Sequence, residues 1–135
     1  MKKTIKFVAF AMVALMLMLT LVSCSAKPNS DPEKALQALK DNGISMATND
    51  TTIQPAGYKL MGVNAVKSVV SGAGTTKDGD AAVIYILYFE SDSAANDAYD
   101  KVKKDAESKK IDGLVIEISG SMIYFGNKAG IKAAA

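Results

Sequence analysis

The stretch from Ala81 to Glu90 constrains this chain more than any other. Residues alternate in direction along a strand, so Val83, Tyr85, Leu87 and Phe89 project to one side, while Ala82, Ile84, Ile86 and Tyr88 project to the other. Both sides are apolar, which points to a central strand with at least partial cover on each face.

A cover follows directly. From Asp92 to Lys109 the residues Ala95, Ala98, Tyr99, Val102 and Ala106 repeat with helical spacing. Asp97 and Lys101, Asp100 and Lys104, and Asp105 and Lys109 stand four apart in the favourable order on the outer face. The chain then offers two short strands, Leu114 to Ser119 and Met122 to Gly126, joined by Gly120-Ser121 as a two-residue turn. That turn opposes Ile118 with Ile123 and Ile116 with Phe125 on one face, and Glu117 with Tyr124 on the other. Asn127 to Ala135 is either a short terminal helix or a fraying end.

Upstream, Pro32 to Asn42 reads as an amphipathic helix carrying Ala35, Leu36 and Leu39. Either Asp31 caps it with Pro32 in the first helical position, or Ser30 and Glu33 form a capping box. Gly43 suits a left-handed C-terminal cap that folds Ile44 back on Leu39. Ile44 to Ile53 is expected to be a strand with Ile44, Met46 and Thr48 on one side, and Gln54 to Tyr58, with Pro55 and Gly57, a turn or loop. Leu60 to Ser71 fits a helix through Val63, Val66 and Val70, but its β-branched content favours a strand leading into a hairpin connection over Ser71 to Asp80. The expected fold is α+β, an antiparallel β-sheet with one main helix packed on a face and a short N-terminal helix. Were Leu60 to Ser71 helical, the alternative would be a ferredoxin-like βαβ-αββ order.

The N-terminus has a different character. Lys2, Lys3 and Lys6 precede an apolar run from Phe7 to Val22, 16 residues interrupted only by Thr20. This is short of the roughly 20 residues a permanent membrane-spanning helix needs. Cationic start and apolar run together fit an export signal. The run ends at Leu21-Val22-Ser23-Cys24, which resembles the lipobox of bacterial lipoproteins, and Cys24 is the single cysteine of the chain. The resemblance implies a diacylglyceryl group on the Cys24 thiol, cleavage between Ser23 and Cys24 by a type II signal peptidase, and residence on the extracytoplasmic face of the cell membrane. Two or three acyl chains hold a protein there firmly, whereas one does not. The ending around Ile123-Tyr124-Phe125-Gly126 also resembles small uncharacterised lipoproteins of Gram-positive bacteria. The expected organisation is thus a cleaved signal over 1–23, a lipidated tether over 24–30 reaching about 20 Å when extended, and one α+β domain over 31–135.

Cleavage would remove three lysines and leave 13 against 14 acids, so the precursor's positive charge belongs to its signal. No basic block remains, and nucleic acid is not an expected partner. The chain has no histidine, tryptophan or arginine. A histidine triad, a Cys/His zinc site, a structural disulfide and an arginine clamp are excluded from the mature monomer. No cofactor, metal site or catalytic set is expected. Asp78-Gly79-Asp80 lacks the spacing of an EF-hand and reads as a turn. Gly72-Ala73-Gly74 lacks the lysine and serine of a phosphate loop. Ser68 and Lys67, adjacent in a strand, point to opposite faces. Tyr88 and Tyr124 are a candidate binding surface if their sheet face is open, and core residues if it is covered. The functional expectation is a lipid-anchored, non-catalytic binding or accessory module acting on an envelope protein or ligand. The alternatives are a small envelope hydrolase built on Asp78, Asp80 and Glu117, and a structural envelope protein.

Overall fold

The computed structural model describes residues 26–135. The signal residues, Ser23 and Cys24 lie outside them. The described residues form, in order, α1 (Pro32–Asp41), β1 (Thr48–Asp50), α2 (Ile53–Leu60), β2 (Val66–Thr75), β3 (Ala81–Phe89), α3 (Asp92–Ser108), β4 (Val115–Ser119), β5 (Met122–Gly126) and α4 (Lys128–Ala133). The five strands make one antiparallel sheet in the order β1-β2-β3-β5-β4. This is an α+β fold. With 66–75 a strand and every pairing antiparallel, the ferredoxin-like alternative falls away.

β3 lies at the centre, and each of its faces is the floor of a separate core. On one face Ala82, Ile84, Ile86 and Tyr88 pack with Val70 of β2, Met122 and Tyr124 of β5, Ala35 and Leu39 of α1, and Ile131 of α4. On the other, Leu87 and Phe89 pack with Val69, Ile123 and Phe125 of neighbouring strands, Tyr58 of α2, and Ala95, Ala98, Val102 and Ala106 of α3. Helices therefore cover both faces, two on each. The terminal segment does not fray: Asn127 caps α4, donates from its side chain to Ala81 O at 2.8 Å, and exchanges bonds with Val83 at 3.0 and 3.1 Å.

Of the two N-terminal caps that the sequence allows, α1 takes the Asp31-Pro32 one, and it ends on the expected glycine. The Asp31 carboxylate accepts from Glu33 N at 3.0 Å, Gly43 adopts φ +99°, and Ile44 N donates to Leu39 O while Gly43 N donates to Lys40 O. These bonds satisfy the last carbonyls and bury Ile44 beside Leu39. After Ile44 the chain turns instead of extending, so the strand expected over Ile44 to Ile53 shrinks to Thr48–Asp50 and Met46 is 81% exposed.

The largest departure lies in Gln54 to Tyr58, expected to be a loop and found inside α2. Pro55 occupies the third helical position, where a backbone N–H has no partner within the helix, so its missing donor costs nothing there. The N–H groups before it are taken by Asp50, whose carboxylate accepts from Thr52, Ile53 and Gln54 at 2.8, 2.9 and 3.1 Å. Those bonds, Thr52's first, hold the Asp50 carboxyl below its ordinary range despite some opposing desolvation.

The β4–β5 register is as the turn predicts: Ile118 opposes Ile123, Ile116 opposes Phe125, and Glu117 opposes Tyr124. Of the three i,i+4 pairs on α3, Asp105–Lys109 closes to 3.9 Å as the one ion pair among the described residues. Lys101 instead donates to Gly62 O, at 3.1 Å, fastening the end of α2.

Candidate functional site

α2 is built inside out. Tyr58 turns into the core, while Ile53, Ala56, Gly57 and Leu60, spaced as one helical stripe, face solvent with Met61 beside them. Ile53 is 78% exposed, Leu60 91% and Met61 49%. A helix normally buries its apolar stripe. Here it is presented outward.

The inward side explains why the helix keeps this orientation. The Tyr58 hydroxyl donates to Asp105 Oδ2 at 2.9 Å, and burial together with the Asp105 charge pushes the phenol well above its ordinary pKa. Asp105 is paired to Lys109, whose ammonium sits 5.0 Å over the ring of Tyr85. Tyr85 in turn stacks on Phe125 with centroids 4.9 Å apart. At the other end Gln54 Nε2 donates to Ser71 Oγ at 3.3 Å. These contacts fix α2 across β2 and α3 through its polar and aromatic residues and leave the aliphatic stripe free. Between α2 and α3 lies an open hollow of about 230 Å³ with Tyr58, Tyr85, Asp105 and Lys109 in its walls, so stripe and hollow form one continuous surface.

Comparison with protein families, curated proteins and solved structures gives no match. The surface must be judged on its chemistry.

The sequence-derived candidates lie elsewhere. Tyr88 is 4% exposed and Tyr124 1%, because α1 and α4 cover their face, so neither presents an open aromatic surface. The Tyr88 hydroxyl donates to Asn29 O at 2.7 Å, and that of Tyr124 to Glu117 Oε2 at 2.8 Å. Burial pushes both phenols above their ordinary pKa. Asp78 and Asp80 meet with Lys132 in a polar hollow of about 120 Å³ at the β2–β3 turn, well below the roughly 300 Å³ from which ligand pockets start. Glu117 lines a different groove. Among the described residues no three acidic or other metal-binding side chains converge. Gly72 and Gly74 lie within β2 and not in a loop. Ser68 is buried while Lys67 is exposed at an irregularity of β2 between Val66 and Ser68, so the pair forms no dyad. The α2 stripe was missed because Pro55 and Gly57 disguised the helix, although Ile53, Ala56, Gly57 and Leu60 carry its 3-4-7 spacing.

Proposed function

We propose that this protein is a lipid-anchored module of the cell envelope that binds another envelope protein and performs no chemistry of its own. The lipobox around Cys24 supports the anchor, with the extracytoplasmic face as its location. No helix among the described residues is long and apolar enough to cross a membrane.

One observation carries the binding role. α2 exposes Ile53 and Leu60 on one stripe, with half-exposed Met61 at its C-cap, although the same helix has a buried side that could have been apolar. Side chains this exposed add nothing to the fold, and a contiguous apolar stripe invites association. Places where a local rule is broken are expected at functional or strained sites. Gly57, with nothing within 4 Å of where a Cβ would stand, lets a partner approach the backbone closely.

The test uses purified 24–135 chain as bait in envelope extract, beside Leu60→Ser and Ile53→Ser. The reading expects a partner retained by the wild-type bait and lost by both variants, with thermal stability unchanged because both side chains are exposed. Retention by all three baits, or by none, would count against it. The hydrolase alternative gains no matching observation, since its three acids do not share a pocket of substrate size.

A further inference from the structure

The chain enters the domain on the face opposite α2. Pro28 is buried, Asn29 N donates to Ala134 O at 2.9 Å, and Asn29 O accepts the Tyr88 hydroxyl. The tether expected through Ser30 is therefore fixed to the domain from Pro28 onward. Two residue steps separate Cys24 from Ala26, a reach of about 7 Å. The headgroup layer on one side of a bilayer is about as deep. Whatever surrounds Ala26 is thus held at the outer edge of that layer.

Ala26 lines a groove of about 340 Å³ between β4 and α4, with Val115, Tyr124 and Ile131 supplying its apolar wall. Lys128 and Lys132, one turn apart on α4, stand exposed along its rim, and exposed Lys27 follows Ala26. None of these three lysines is ion-paired among the described residues. The nearby acids are Glu117, in the groove and bonded to Tyr124, Asp80, which lines a neighbouring pocket with both rim lysines, and Asp78, which shares the small hollow at the β2–β3 turn with Asp80 and Lys132.

From this arrangement we propose that the α4 side of the domain rests on the bilayer. Lys27, Lys128 and Lys132 engage headgroups of anionic phospholipid, and the groove receives the adjoining apolar part of one such lipid. The inference rests on the acylation of Cys24 proposed above and adds an orientation to it, with α2 turned away from the membrane toward its partner. Positive side chains beside an anchor gain roughly fivefold each in favour of an anionic surface, an effect that salt removes.

The experiment is independent of cellular acylation. The 24–135 chain has one thiol, which is coupled to maleimide-headgroup lipid in vesicles of phosphatidylcholine, with or without phosphatidylglycerol. Amine-labelling rates are then read residue by residue. The proposal expects labelling of Lys27, Lys128 and Lys132 to slow about fivefold on phosphatidylglycerol vesicles at low salt, with Lys59 and Lys101 unchanged. In the doubly substituted chain Lys128→Gln, Lys132→Gln, the slowing at Lys27 should weaken. Equal labelling of all lysines on both vesicles, or protection centred on Lys59, would overturn it. A bare Cys24 in native protein would instead refute the anchor while leaving the vesicle result to stand.

Discussion

α4 packs against β3 backbone to backbone, and glycine makes this possible. A Cβ on Gly130 would stand 2.2 Å from Val83 O and 2.6 Å from Val83 C, and neither backbone atom can swing aside. Restoring ordinary contact requires α4 to retreat by roughly 1 Å, which forfeits up to half the dispersion energy at the surfaces that part. Ile131, Ala133 and Ala134 would all loosen. Overpacking of this kind costs about 1–3 kcal/mol, and a clash with backbone belongs at the upper end. Against it stands the gain of about 1 kcal/mol from replacing a helical glycine by alanine. The clash wins, and Gly130→Ala should destabilise the domain by about 2 kcal/mol. In a domain of this size that lowers Tm by roughly 8 °C. Gly57→Ala supplies the opposite sign in the same protein: its Cβ meets nothing within 4 Å, so helix propensity acts alone and stability should rise by about 0.5–1 kcal/mol. Thermal and urea unfolding followed by circular dichroism would measure both. If the two variants shift upward together, α4 does not lie against β3 as described.

Asn127→Ala removes the α4 cap and two side-chain bonds to β3, leaving the half-buried Val83 N–H without its acceptor; a loss of about 2 kcal/mol is expected in urea unfolding. Asp50 has a depressed folded pKa, so its contribution is complete above about pH 4 and disappears as pH falls through the folded value. The stability difference between wild type and Asp50→Asn should therefore be constant at neutral pH and shrink in acid. Tyr58, Tyr88 and Tyr124 have raised folded pKa values, so their contribution is intact below about pH 10 and lost as pH rises beyond it. Phenolate absorbance should show three tyrosines ionising only together with alkaline unfolding.

What the sequence revealed and what it concealed divide along a physical line. The two faces of β3, the β4–β5 register and the α1 cap were legible because each is set by neighbours within a few residues: strand alternation, a two-residue turn, and an Asp-Pro start with a glycine stop. α2 was not. Its cap is a carboxylate from the preceding strand, its proline sits where proline is harmless, and its inward side is held by Tyr58 and Asp105, 47 residues apart. Apolar periodicity could not orient it either, because the stripe that would ordinarily mark the buried side points outward. The role of α4 was equally hidden: nothing in Asn127 to Ala135 announces that Gly130 will touch Val83. Tyr88 and Tyr124 show their aromatic character in the sequence, but their burial follows from α1 and α4 both closing over one face.

Cys24 matters most, since the orientation on the bilayer, with α2 turned away from it, presupposes an anchored N-terminus. Intact-mass measurement of the protein purified from the membranes of its native cell tests this directly. The expected species begins at Cys24 and carries the added mass of a diacylglyceryl group. A chain that retains its first 23 residues, or that begins elsewhere with an unmodified thiol, would contradict it.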